Sequence, residues 1–393
     1  MIYASTRRSQ GRWHIHEGWY ALAAAIGLTV IGIEAIRTND AQNAFRQTIW
    51  FAVALVVCGL CVWPRPRTVG LYAYGLLAGA LFLLVLLILP WTPAAIVPRT
   101  NAAKSWIDLR IMRVQPSELA KVAFVLAMAW YLRHRESYRT LRGLLVPLAI
   151  SLVPVVMILS QPDLGTALLF LPTVLVMLIA AGAKLRHIGG SVGISLALVA
   201  VLVATIYLAP NLASLALRPH QQNRFKALIS MATGDERHND SLAFQQIKSI
   251  QLIGAGQIFG YGAARSARFV RALPEAHNDM IYAVIINRWG LLGGLVVLGL
   301  CMVVVLMFAM VAGRSKDPFS RLVVVGFAGL LFTQAAIHLA VNLGLLPVTG
   351  ITLPFVSYGG SSLVVTFSMV GLVINIAGQD SLVPSRPSFE FAG

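Results

Sequence analysis

Hydrophobic and polar positions alternate along this chain in long blocks. Ten stretches are apolar for about 20 residues, the length needed to cross a hydrocarbon core of roughly 30 Å as a helix. They lie near 18–36, 48–63, 69–91, 118–133, 142–160, 164–183, 187–210, 280–312, 322–345 and 358–378. The second is short, and the eighth is long enough to tilt or to begin as an interfacial segment. The pattern predicts an all-α, polytopic membrane protein of about ten transmembrane helices, with a large extracytoplasmic loop between helices 7 and 8.

The polar intervals set the organisation. One set of short loops carries Arg65 and Arg67, then Arg133, Arg135, Arg139 and Arg142, then Lys184 and Arg186, then Arg314, Lys316 and Arg321. The opposite short loops are poorer in Lys and Arg, and 161–163 and 346–357 have none. The positive-inside rule then places both termini in the cytoplasm and residues 211–279 outside, since long loops cross largely regardless of charge. The expected division is an N-terminal cytoplasmic segment 1–17, one transmembrane domain 18–378 and a cytoplasmic tail 379–393. The N-terminal arginines run into the first apolar stretch without a small-residue cleavage site, which reads as a retained span.

Composition agrees. The chain is 58% hydrophobic and 12% charged, where soluble domains carry roughly 25% charged residues. The net charge of +16 lies mostly in loops, where it orients spans and meets anionic lipid. No basic patch interleaved with aromatics argues for nucleic acid. Cys58, Cys61 and Cys301 all fall in apolar runs, so the C-x-x-C spacing reads as small apolar helix residues.

Candidate chemistry gathers on the outer side. Leu273 to Tyr282 packs Glu275, His277 and Asp279 into five residues at the edge of a span, where titratable groups are costly and often functional. The plain alternative is a solvated helix start. Gln115-Pro116-Ser117-Glu118 suits a helix N-terminus, and Glu118 and Lys121 share a helix face, either as a brace or as a polar cavity wall. In Gln161-Pro162-Asp163-Leu164-Gly165-Thr166, Asp163 fits an N-cap as well as a ligand contact. The long outer segment holds Arg224 and an amphipathic run from Ser241 to Ile253, with Gln246 and Lys248. A glycine-rich turn, 254–262, follows. No strand precedes it, so close backbone approach explains it better than dinucleotide binding. Arg265, Arg268 and Arg271 suit a phosphate or a lipid headgroup. Irregular backbone between Leu346 and Ser362 at membrane depth marks a cavity wall.

Taken in order, Ser105-Trp106-Ile107 with Gln115–Lys121, Gln161–Thr166, Leu273–His277 and Leu353–Ser362 resemble the SEDS family (shape, elongation, division and sporulation) over about residues 20–378. Within it, Pro347-Val348-Thr349-Gly350 and the short tail look more like RodA than FtsW. The resemblance implies a peptidoglycan glycosyltransferase that polymerises lipid II on the outer face of the cytoplasmic membrane during cell elongation. Its implied partner is a class B penicillin-binding protein. The family's essential acid maps onto Asp279, within His277-Asn278-Asp279-Met280. Substrate contacts are expected from Trp106, Gln115, Ser117, Glu118, Lys121, Asp163, Arg224, Gln246, Lys248, Glu275, His277, Ser357, Gly360 and Ser361. The chain departs from the family at Asn278, Met280 and Tyr282, and at Asn287-Arg288, where members usually carry a Glu pair.

Such chemistry inverts an anomeric centre. It needs a base at the acceptor hydroxyl and something to neutralise the leaving pyrophosphate, not a second carboxylate. Oxygen ligands would suit Mg²⁺ or Mn²⁺, although no dedicated cluster is readable, and no organic cofactor is implied. Two other classes remain open: a transporter of lipid-linked precursor, and a non-catalytic scaffold. Against the transporter stand the outer placement of the motifs and the lack of an inverted repeat.

Overall fold

The computed structural model describes residues 16–380 except 90, 94–96, 99–104, 109–112, 134–141, 162, 185, 187–188, 191–192, 194–240, 272 and 274. Arg224, the expected span 187–210 and most of both tails lie outside the described residues. The described helices are α1 (Glu17–Arg37), α2 (Ala41–Cys61), α3 (Pro66–Leu71), α4 (Ala73–Ile88), α5 (Pro116–Leu132), α6 (Leu145–Ser160) and α7 (Leu164–Ala181), then α8 (Ser241–Gly256), α9 (Gly262–Val270), α10 (Ile281–Arg314), α11 (Pro318–Asn342) and α12 (Gly360–Asp380). A two-residue hairpin, β1 (Ile107–Asp108) with β2 (Arg113–Val114), precedes α5. The fold is helical. Each of the other nine expected spans coincides with a described helix or helix pair, and six of these helices are long and apolar enough to cross a membrane.

The differences from the expected boundaries have local causes. Hydropathy starts the second span at 48, but Asp40 caps α2 by accepting from the amides of Gln42 and Asn43, both at 3.0 Å. The helix therefore opens two polar turns earlier. Asp317 does the same for α11, accepting from Ser320 N at 2.9 Å with Pro318 at the first helical position. The amphipathic run became α8. The eighth span breaks: Gly290 has φ 73° and ψ −171°, a conformation close to glycine-only. Residues 281–289 thus form a separate segment, and 291–314 continue as a long apolar helix.

Antiparallel packing of α1 on α10 is pinned at both ends by charge. Arg314 pairs with Glu17 at one end. Arg288 pairs with Glu34 at 3.2 Å at the other. Elsewhere α12 packs on α2, α11 on α5, α7 and α10, and α4 on α5. Close approaches rely on small residues: a Cβ at Gly32 would lie 2.3 Å from the Val356 carbonyl. Alternation of direction along this bundle gathers the motifs 115–121, 161–166, 273–282 and 346–362 at one end.

Candidate active site at one end of the bundle

Each motif is built by local chemistry and then tied to its neighbours. Pro116 opens α5, and Gln115 precedes it in extended backbone. Asp163 caps α7, its Oδ1 accepting from Thr166 N at 3.0 Å. Its Oδ2 accepts from Gln115 Nε2 at 3.2 Å and Ser117 Oγ at 3.3 Å. One carboxylate therefore caps its own helix and joins two motifs 46 residues or more apart. Gln161 donates to the Leu84 carbonyl at 3.0 Å, and its own carbonyl accepts from Ser105 Oγ at 3.3 Å.

Glu118 and Lys121 form a buried ion pair at 2.9 Å. Lys121 also donates to Gln334 Oε1 at 3.3 Å, and Gln334 Nε2 donates to the Thr352 carbonyl at 2.9 Å. The pair links α5, α11 and the loop 346–359. The start of α7 also meets that loop, since a Cβ on Gly165 would lie 2.4 Å from the Thr349 carbonyl.

The Asp279 turn is held by its backbone. Three consecutive carbonyls accept from three separate donors: His277 from Tyr358 N at 2.9 Å, Asn278 from Ser357 Oγ at 2.8 Å, and Asp279 from Asn342 Nδ2 at 2.8 Å. Ser357 Oγ itself accepts from Leu353 N at 2.8 Å. Gln47 of α2 completes the clasp, donating to the Ser357 carbonyl at 3.1 Å and accepting from Gly359 N at 3.2 Å. His277 meets the Tyr358 ring edge-on at 5.5 Å between centroids. Glu275 is exposed, at φ 51°, and accepts from Asn278 Nδ2 at 2.7 Å. Asp279 is half-buried. The turn that carries this carboxylate is therefore fixed at three successive carbonyls.

Asn342 is the hub. It is fully buried. Besides Asp279, it accepts from Ala283 N at 3.3 Å through Oδ1, and Ser249 Oγ of α8 donates to its carbonyl at 3.1 Å. Gln246 lies beside it, buried and donating to the Val341 carbonyl at 3.0 Å. Together they bind α8, the start of α10 and the end of α11.

The expected contact residues divide accordingly. Gln115, Ser117, Asp163, Glu118 and Lys121 are brought together, but in bonds to one another. Gln246 and Ser357 are buried and spend their polar atoms on protein. Gly360 lies against Trp50, whose ring a Cβ would approach to 2.4 Å. These three sit in protein contacts rather than at an open surface, and Lys121 is not a free cation. Ser361 is buried. Trp106, half-buried, precedes β1, and Lys248 lies 5.6 Å above the Phe244 ring. Sequence reasoning missed Gln47, Gln334, His338 and Asn342. For Gln334, His338 and Asn342 the signal was a polar side chain inside an apolar helix, which gives no partner by itself; Gln47 stands among other polar residues at the start of α2 and carried no such signal. His338 is buried, with Nδ1 2.8 Å from the Ile351 carbonyl. Among the described residues, no three of His, Cys, Asp and Glu gather to hold a metal.

The model of the FtsW/RodA/SpoVE cell cycle protein family matches residues 16–382. The chain belongs to this family. It is 31% identical over 375 residues to a probable peptidoglycan glycosyltransferase FtsW of Alkalilimnicola ehrlichii, covering 93% of this chain and 88% of the relative. It is 34% identical to one so named from Geobacter metallireducens, covering 91% and 93%. It is 33% identical to the stage V sporulation protein E of Bacillus subtilis, covering 75% and 76%. Among solved structures, a chain of a peptidoglycan synthase complex that coordinates polymerization and crosslinking superposes with TM-score 0.73 at 28% identity, covering 92% of this chain and 98% of that one. The rod shape determining protein RodA of Thermus thermophilus gives 0.66 at 25% identity, covering 93% and 97%. The expected leaning toward RodA is not supported, because relatives at 31–34% identity carry the FtsW name.

Proposed function

We propose that this chain is a peptidoglycan glycosyltransferase that polymerises lipid II, with Asp279 as general base. The acceptor 4-hydroxyl attacks the donor anomeric carbon. The new C–O bond forms as the bond to the pyrophosphate breaks, with inversion, and the hydroxyl proton passes to the Asp279 carboxylate. The observation that supports this reading most is the clasp on the carbonyls of residues 277–279. Pre-positioning a base in this way lowers the barrier without uniform tightening of substrate. The site lies where the bundle meets its outer end, so a lipid tail can stay in the bilayer while the sugars reach Asp279.

Among the described residues no protein cage for Mg²⁺ or Mn²⁺ is formed. Such an ion would arrive on the pyrophosphate, with at most one or two carboxylates from the chain. Both termini are placed in the cytoplasm, and a class B penicillin-binding protein is the proposed partner. The structural neighbour drawn from a synthase complex supports the pairing. An elongation role rested on likeness to RodA and loses that footing, so polymerisation is proposed without a process attached.

The test is polymerisation of lipid II by wild type and Asp279→Asn, with and without a class B partner, alongside thermal melts. Wild type is expected to make glycan strands, and Asp279→Asn to make none while melting normally. An active Asp279→Asn protein would remove Asp279 from the role of base. Translocation in liposomes without polymer would favour the transporter reading.

A further inference from the structure

We propose that α9 and the turn before it form a membrane-surface element that binds anionic phospholipid on the same face as the candidate site. Its depth follows from the break in α10. Residues 291–314 rise about 36 Å as a helix, enough to cross the hydrocarbon core. Gly290 therefore stands at the outer boundary. The glycine-rich turn is tied to that point by three backbone bonds: Leu291 N to the Gln257 carbonyl at 2.8 Å, Leu292 N to Ile258 at 3.3 Å, and Tyr261 N to Asn287 at 2.9 Å. The helix break frees amides that the turn then satisfies. So α9 starts in the boundary plane.

Its faces suit that plane. Ser266 and Val270 are buried against the protein. Arg265, Arg268 and Arg271 are exposed and, at 100° per residue, lie on the opposite side. Among the described residues none of the three is in an ion pair. Beside them Phe259 is 78% exposed and Phe269 49%, with Phe269 stacked on Tyr261 at 5.3 Å. Aromatic rings next to arginines on a short amphipathic helix are the chemistry of a headgroup boundary. The rings enter the acyl layer and the guanidiniums meet phosphate. A structural-only role would bury the rings or pair the arginines, and among the described residues the fold does neither.

The experiment is hydrogen–deuterium exchange of the full chain in nanodiscs. One set is phosphatidylcholine and the other phosphatidylcholine with phosphatidylglycerol. Exchange over 258–271 is expected to slow when phosphatidylglycerol is added, by about five-fold for each arginine engaged. Arg265→Gln/Arg268→Gln/Arg271→Gln should lose this slowing. Arg65→Gln/Arg67→Gln/Arg321→Gln, at the other end of the bundle, should keep it. Equal exchange in both lipids, or slowing retained by the α9 variant, overturns the proposal. Slowing by a polyprenyl pyrophosphate in phosphatidylcholine but not by phosphatidylglycerol also overturns it, in favour of a substrate headgroup site. The readout needs no turnover, so it stands apart from the polymerase reading.

Discussion

Asn342 at the end of α11 holds the main chain of Asp279, its Nδ2 donating to the Asp279 carbonyl at 2.8 Å. The candidate base is thus positioned from a residue 63 places away, and the same side chain fixes the start of α10 through Ala283 N.

Asn342→Ala should therefore uncouple position from chemistry. It removes the Nδ2 donor from the Asp279 carbonyl and leaves Ala283 N only its bond to the Met280 carbonyl at 3.1 Å, a loss of about 1–3 kcal/mol, read as a lower melting temperature. Polymerisation should fall about 100-fold if the turn shifts by an ångström. Full activity in a protein that melts early would show that the clasp serves stability alone.

Arg288 meets Glu34 at 3.2 Å and Thr38 Oγ1 at 2.7 Å. Arg288→Glu should destabilise by setting two carboxylates together. The exchange Glu34→Arg/Arg288→Glu should recover about 1 kcal/mol of that loss, because the Glu34 side chain is partly hydrated. A double-mutant cycle by thermal melt decides. No recovery would mean that the contacts to Thr38 and the Glu34 carbonyl carry the interface.

The Glu118–Lys121 pair is buried at 2.9 Å. Lys121→Met strands a carboxylate and should cost about 3–5 kcal/mol. Glu118→Leu/Lys121→Met should regain most of it. Should the double variant melt no higher than Lys121→Met, the two residues do not act as a closed pair. Activity of a stable double variant separates a brace from a substrate contact.

Gly290→Ala tests the helix break. A Cβ there would lie 2.0 Å from the Ile258 carbonyl at a φ of 73°. The expected cost is about 3 kcal/mol or more. Faster amide exchange at Leu291 and Leu292, whose partners lie in the displaced turn, is the specific sign. Unchanged exchange at those two amides would show that the turn does not depend on the break.

Much of the helical plan was legible because a membrane makes hydropathy nearly sufficient. A backbone in hydrocarbon must bond within its own helix, so about 20 apolar residues imply a helix whatever surrounds them. Boundaries failed where a cap overrode hydropathy, at Asp40 and Asp317. Of the candidate site, the acids and the motif order could be read, because titratable groups at a span edge stand out. Their use could not. Asp163 looked like a cap or a ligand contact, and the fold makes it a cap that also accepts from Gln115 and Ser117.

By itself the sequence determined the helical bundle, the grouping of the motifs at one end of it and the place of Asp279 among them, since each follows from local composition and order. Tertiary structure alone decided what those residues touch. Gln334 and Asn342 are single polar letters in apolar stretches and Gln47 is one of several in the polar opening of α2, and the partners that tie them to the site lie 18 to 312 residues away. Hydrogen bonds are short and directional, so only the packed bundle says which carbonyl each one reaches.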